Sequence, residues 1–330
     1  MKAILCTSFA PIDELRLETI DAPTVGPGEV LIDVAATGVN FLDGLMVQGK
    51  YQTKPPFPFS PGSEVSGTIR TIGEGVTGFR PGDRVASFCR VGGYAETVSA
   101  LASHSFPLPD AVDDITAAGF LITYATSYHA LKDRAQIAPG ETLLVLGAAG
   151  GVGLTAVELG KVMGAHVIAA ASSAEKLALA KDYGADEVID YSQGGLRDQV
   201  KALTGGRGVD VIYDPVGGTL AEEAIRCLAW EGRYLVIGFA AGGIPKFPAN
   251  LLLLKSSSIL GVYWGDSLDA NPKKHAVNIA ELFALQAQGK LRPHISETFP
   301  LDEAVEGLRH VMERKVKGKV VLTVGKKAKA

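Results

Sequence analysis

The sequence predicts an α/β protein of two domains: a doubly wound domain on a six-stranded parallel sheet, and a β-rich domain that this insertion interrupts. Three observations carry the prediction. The first is a strand–turn–helix unit. The apolar run Thr142-Leu143-Leu144-Val145-Leu146 leads into Gly147-Ala148-Ala149-Gly150-Gly151-Val152-Gly153. Leu154, Val157, Leu159, Val162 and Met163 then recur at helical spacing up to Gly164. The second is the alternation of strand and helix patterns from about residue 124 onward, which is the signature of a parallel sheet. The third is the preceding region, where short β-type runs are separated by Pro/Gly turns with no strongly periodic helix before Ile115.

The elements follow in order. Glu29 to Val34, Val65 to Ile72, Arg84 to Phe88 and Tyr94 to Val98 read as strands of the first domain. After the glycine-rich turn come strand His166 to Ala171, helix Ser173 to Tyr183, strand Glu187 to Ile189 and helix Leu196 to Leu203. Strand Val209 to Tyr213, helix Leu220 to Trp230, and strands Arg233 to Ile237 and Ser257 to Tyr263 complete the sheet. Helices His275 to Gln288 and Leu301 to Val311 and strand Lys319 to Val324 are expected to return to the first domain. The expected division is therefore 1–123, 124–265 and 266–330, with the first and last pieces forming one domain.

A chain of 330 residues, 47% hydrophobic, can bury more than one core. A net charge of −4 offers no basic footprint for nucleic acid or an anionic membrane. The N-terminal run is too short for a signal peptide, and Thr, Tyr, Ser and His interrupt the uncharged stretch Ile115 to Leu131, so a cytoplasmic protein is expected. Cys6, Cys89 and Cys227 are far apart, and the six histidines lack ligand spacing, so neither disulfides nor a metal site is expected. Lys326, Lys327 and Lys329 read as a solvated tail.

The turn specifies a ligand. Ala148-x-Gly150-x-x-Gly153 places Ala149, Gly150, Gly151, Val152 and Gly153 where backbone N–H groups and a helix N-terminus meet a pyrophosphate. Gly150 would admit the phosphates, and Gly153 would let the helix pack closely on its strand. About twenty residues on, an acid would select NAD by binding the ribose 2′-OH. The sequence instead has Ala171, Ser172 and Ser173, then Lys176. Hydroxyls and a cation suit a 2′-phosphate, so NADPH is the expected cofactor. Taken alone, Lys176 reads equally as a solvated helix-face lysine.

Three blocks carry a family resemblance. They are Gly38-Val39-Asn40-Phe41-Leu42-Asp43 with Gly49-Lys50-Tyr51; Pro61-Gly62-Ser63-Glu64-Val65-Ser66-Gly67 with Gly78-Phe79-Arg80-Pro81-Gly82-Asp83-Arg84-Val85; and Gly140-Glu141 through Lys161. Over nearly its whole length the chain resembles the zinc-independent quinone oxidoreductases of the medium-chain dehydrogenase/reductase superfamily. The resemblance implies a Rossmann domain, a discontinuous GroES-like domain, and hydride transfer from NADPH to a quinone or related α,β-unsaturated carbonyl. It places Asn40, Asp43 and Tyr51 at the reacting end. Asn40 would donate to a developing oxyanion or serve as a turn residue. Asp43 would brace its loop rather than act as a general acid, and Tyr51 would line the acceptor site, donate a proton or simply pack. Thr126, Tyr191, Gly238 and Phe239 match cofactor-lining positions, with domain packing as their alternative; Gly217 and Gly218, after Asp214-Pro215-Val216, close the fourth strand and would permit close approach to the nicotinamide half. Glu158 stands where the family pattern usually has Gln and is expected to be a surface or helix-face change.

Zinc-dependent relatives carry a Gly-His-Glu block and clustered cysteines; here Ser63 stands at the His position beside Glu64, and no cysteine cluster exists. A conjugated acceptor needs no Lewis acid, because hydride addition gives a delocalised anion. Rival readings are an enoyl-thioester reductase acting on CoA esters, and an NADPH-binding structural or sensor protein with little turnover. The last sheet strand, Ile259 to Trp264, is expected to be an edge that pairs two copies into a homodimer.

Overall fold

The structure, a computed structural model, describes residues 1–325; the three tail lysines lie outside them. The chain divides into two compact units, Met1–Ile122 with Ala270 onward, and Thr123–Asp269.

The second unit is built on one six-stranded sheet with every neighbour parallel. Its spatial order is Glu187–Asp190, His166–Ala171, Thr142–Leu146, Val209–Asp214, Leu228–Val236 and Ser258–Gly261. The central strands read as uninterrupted apolar runs because both faces are covered: Leu143, Leu144, Val145, Leu146, Val167, Ile168 and Ala169 are all fully buried. One face packs Leu144, Ile168 and Ile212 against Leu196, Val200, Ala221 and Ala224 of the following helices. The glycine-rich turn joins strand Thr142–Leu146 to helix Gly151–Val162, with Gly150 as its N-cap residue.

In the first unit a seven-stranded, mainly antiparallel sheet centres on the long strand Glu29–Val39. Strand Glu64–Ile72 pairs along it, as do Thr97–Leu101 and Lys319–Thr323. Side chains alternate between faces. Val39, Val320 and Leu322 enter a core with Ile4, Met46, Phe59, Tyr94 and Leu308. Ala36 and Val321 face the opposite way, onto Ala118 of helix Asp114–Tyr128. No helix among the described residues is long and apolar enough to cross a membrane.

Four local expectations fail, each for a physical reason. Residues after Val39 form helix Phe41–Val47 rather than a loop; at seven residues it is too short to display a helical repeat. Leu228–Trp230 begin a strand rather than end a helix, since helix Gly218–Ala224 stops earlier. Trp264 opens helix Trp264–Ala270 and is buried, so the last strand spans only Ser258–Gly261. Glu158 is interior: helix Gly151–Val162 is buried continuously from Gly153 to Gly160, and the Tyr124 hydroxyl donates to Glu158 Oε2 at 2.6 Å. A helix packed on several sides has no reliably polar face to read.

Gly153 is required by the turn itself. A Cβ there would lie 2.2 Å from the Gly147 carbonyl oxygen, a backbone atom with no room to yield. The crowding against the strand falls instead at Gly160, whose Cβ would meet Leu143 Cδ2 at 2.7 Å. Gly153→Ala is expected to destabilise the protein by about 1–3 kcal/mol through overpacking, read as a lower midpoint in denaturant unfolding.

Candidate active site

In the second unit, the predicted phosphate-binding residues fall together at the C-terminal ends of the parallel strands, where ligands of such sheets bind. Ala149 is buried, and Gly150 leads into the first helical turn formed by Gly151, Val152 and Gly153. No protein atom comes closer than 3.4 Å to a Cβ built at Gly150, and that atom is the Gly147 carbonyl oxygen. The turn thus leaves its backbone open on the outer side, and the first-turn N–H groups of a 12-residue helix are available to an anion. A dinucleotide pyrophosphate fits this cradle.

Strand His166–Ala171 ends at Ala171, and Ser172 beyond it is exposed. Ser173 is the N-cap of helix Ala174–Asp182, and its hydroxyl accepts the Lys176 N–H at 3.4 Å, so that hydroxyl has a capping role. Lys176 lies in the first turn, half-buried, and among the described residues its ammonium is in no ion pair. Tyr191 begins a short 3₁₀ turn immediately after strand Glu187–Asp190, and Thr126 is half-buried near the end of helix Asp114–Tyr128.

The loops after the fourth and fifth strands share one anchor that sequence reasoning passed over. Asp214 is buried at the end of its strand. Its Oδ1 accepts the N–H groups of Val216 and Gly217 at 2.7 and 2.9 Å, and its Oδ2 accepts the Tyr234 hydroxyl at 2.6 Å. Its backbone oxygen accepts from Ile237 and, more weakly, Gly238. One residue therefore shapes the turns carrying Gly217, Gly218, Gly238 and the partly exposed Phe239.

In the first unit, strand register assembles a second cluster. Val320 pairs with Val39 and Thr37 with Val65, so one step further Lys319 lies opposite Asn40 and Glu64 opposite Gly38. All three polar side chains are buried: Asn40 is 8% exposed, Lys319 6% and Glu64 0%. Lys319 Nζ lies 2.6 Å from Glu64 Oε1 and donates to Asn40 Oδ1 at 2.5 Å. Asn40 Nδ2 donates to Glu64 Oε1 at 3.0 Å and approaches the Gly38 carbonyl at 3.4 Å. Glu64 Oε2 accepts the Ile122 N–H at 2.8 Å. Gly38 must be glycine, because a Cβ there would stand 2.3 Å from both Glu64 Oε1 and the Ala118 carbonyl oxygen.

Asp43 is fully enclosed one helical turn beyond Asn40. Its Oδ2 accepts the Asn40 backbone N–H at 2.8 Å and the Tyr94 hydroxyl at 3.1 Å; its Oδ1 accepts the Ser63 hydroxyl at 2.8 Å. Ser63 also approaches the carbonyl of Arg90, a residue at φ +63°. Burial pushes the Asp43 carboxyl up to about 6, against the opposing pull of the Asn40 N–H, Ser63, the Lys319 charge and Tyr94. Tyr51 is half-buried against the core of Ile4, Phe59 and Tyr94.

A doubly wound sheet with an open glycine cradle, in one chain with a β-rich unit of this topology, defines an oxidoreductase of the dinucleotide-binding class. The comparisons with known proteins agree. Residues 26–110 match the family model "Alcohol dehydrogenase GroES-like domain", and 151–280 match "Zinc-binding dehydrogenase". The chain is 40% identical to quinone oxidoreductase-like protein 2 of Rattus norvegicus, over 98% of this chain and 92% of that protein. Among solved structures, a mycobacterial protein complexed with NADPH superposes with a TM-score of 0.92 at 34% identity, covering 98% of this chain and 100% of that one. Quinone oxidoreductase of Escherichia coli complexed with NADPH gives the same TM-score and coverage at 27% identity. The chain belongs to the quinone oxidoreductase family of the medium-chain dehydrogenase/reductases.

The "zinc-binding" description raises a metal that the donor set does not fit. At the His position Ser63 offers a hydroxyl whose hydrogen is directed to Asp43 or the Arg90 carbonyl. Glu64 is already neutralised by an ammonium 2.6 Å away.

Because the folded carboxyl of Asp43 titrates near 6 and the unfolded one at 3.8, the folded state holds the proton more tightly. This contribution to stability is complete below pH 3.8 and is lost as pH rises through 6. Its span is about 3 kcal/mol. Asp43→Asn is expected to remove this slope, measured as the difference between variant and wild-type unfolding free energies from pH 4 to 7; parallel curves would contradict it.

Proposed function

We propose that the protein is an NADPH-dependent, zinc-independent reductase of quinones or related α,β-unsaturated carbonyls. The observation that carries the cofactor is the end of strand His166–Ala171, where Ala171, Ser172 and Ser173 stand at the positions from which a carboxylate would meet a ribose hydroxyl and repel a phosphate. The exposed Ser172 hydroxyl and the Lys176 ammonium supply a donor and a cation for a 2′-phosphate. Bound NADPH would supply the hydride. The turn Ala149–Gly153 would hold its pyrophosphate, while Asp214 would shape the loops of Gly217, Gly238 and Phe239 around the nicotinamide half.

For the acceptor, Asn40 is the proposed catalytic residue. One Nδ2 hydrogen is held by Glu64; among the described residues the other meets only the Gly38 carbonyl at 3.4 Å, a contact weak enough for a substrate oxygen to replace. The two electrons would arrive as hydride, charge would accumulate on that oxygen, and the resulting anion would take one proton from water. Asp43 fixes the backbone of Asn40 rather than exchanging protons with substrate, and Tyr51 borders the acceptor. A conjugated acceptor disperses the charge, so one amide donor suffices where an unactivated alcohol would need a metal.

The edge strand Ser258–Gly261 is the proposed homodimer contact. A sedimentation measurement showing only monomer at micromolar concentration would contradict it. NADPH oxidation assayed against naphthoquinones, enones and crotonyl-CoA tests the reaction. Turnover of quinones or enones is expected; tight NADPH binding without any turnover would overturn the reading. Lys176→Met is expected to weaken NADPH binding by about 1.5–3 kcal/mol, roughly tenfold to a hundredfold, and to leave NADH nearly unchanged by calorimetry.

A further inference from the structure

The Lys319–Glu64 pair is an expensive feature in an otherwise apolar setting. Lys319 opens a strand whose next three residues, Val320, Val321 and Leu322, are fully buried hydrophobics. A buried ion pair is often no more stabilising than apolar residues of the same size. Two glycines make space for it: Gly38 beside Glu64, and Gly119, where a Cβ would lie 3.0 Å from Lys319 Cγ.

What the pair accomplishes follows from donor and acceptor chemistry. An ammonium can only donate and a carboxylate can only accept. With Lys319 on one side and Glu64 on the other, the Asn40 amide has a single favourable orientation, Oδ1 toward the ammonium and Nδ2 toward the carboxylate. Flipping it would set NH₂ against NH₃⁺ and C=O against COO⁻. A cation on the amide oxygen also draws electron density from the nitrogen, which makes the remaining N–H a stronger donor.

We propose that Lys319 is a positioning residue for hydride transfer: with Glu64, it locks and polarises the Asn40 amide so that an N–H is presented to the acceptor oxygen. This rests on the proposed reductase function. Lys319 thus balances the Glu64 charge beside the amide nitrogen while its own contact to Oδ1 keeps the amide oriented.

The test compares Lys319→Met, Lys319→Arg and the double variant Glu64→Gln/Lys319→Met. The double variant leaves no unpaired buried charge, which guards against a mere failure to fold. Lys319→Met and the double variant are expected to lower kcat roughly tenfold to a hundredfold, less than deleting an oxyanion donor outright. The affinity for NADPH should stay unchanged, and the isotope effect with NADPH deuterated at the transferring carbon should rise. Lys319→Arg should recover most of the rate. Wild-type kcat in the folded double variant would overturn the proposal, because charge balance alone would then account for Lys319. A second readout needs no turnover: the Asn40 side-chain amide resonances in heteronuclear NMR should shift or double in Lys319→Met. Unchanged resonances would overturn the positioning role. If wild-type protein reduces no acceptor, the reductase reading falls, and the resonances alone decide whether Lys319 fixes Asn40.

Discussion

The constraint on which the first unit depends is the burial of a carboxylate and an ammonium at the junction of three strands. Glu64 and Lys319 are 255 residues apart in sequence, yet their oxygen and nitrogen lie 2.6 Å from each other, with Asn40 bonded to both. Removing either partner would leave the other charged and dry, which is costly. The strand order therefore cannot shift without exposing that cost. The return of the chain after the inserted unit is fixed by electrostatics as well as by the apolar pairing of Val320 and Leu322.

Asp43 extends the same logic. A carboxyl inside a helix's first turn answers the Asn40 backbone N–H while Ser63 and Tyr94 hold its other lone pairs. Side chain and backbone of Asn40 are consequently held by separate networks, the first through Lys319 and Glu64, the second through Asp43. Preorganisation of this kind lowers the reorganisation needed when charge develops on a substrate. The second unit uses one residue in a comparable way, with Asp214 tying two adjacent loops to the sheet.

Much of this was legible in the sequence. The glycine-rich turn and the buried strands were readable because local chemistry dictates them: apolar runs for strands covered on both faces, and glycines where a Cβ would strike backbone. Strand His166–Ala171 has the expected bounds for that reason. What was hidden depends on partners distant in the chain. Lys319 reads as an ordinary charged residue at a strand start until the register sets it opposite Asn40. Glu158 looks like a surface acid until Tyr124 covers it. Helix Phe41–Val47 was missed for its brevity, although Asn40 followed three residues later by Asp43 is a capping pattern that would have announced it. Trp264 was placed in a strand because an apolar run does not reveal where strand gives way to helix.

The central claim is that an amide held between an ammonium and a carboxylate receives the oxygen of a conjugated acceptor. A crystal structure with NADPH and a slowly reduced quinone analogue examines it most directly. The account predicts the acceptor oxygen within hydrogen-bond distance of Asn40 Nδ2, in place of the Gly38 contact, with Oδ1 still on Lys319. An acceptor oxygen bound elsewhere, with the Asn40 amide unchanged between Glu64 and Gly38, would contradict it.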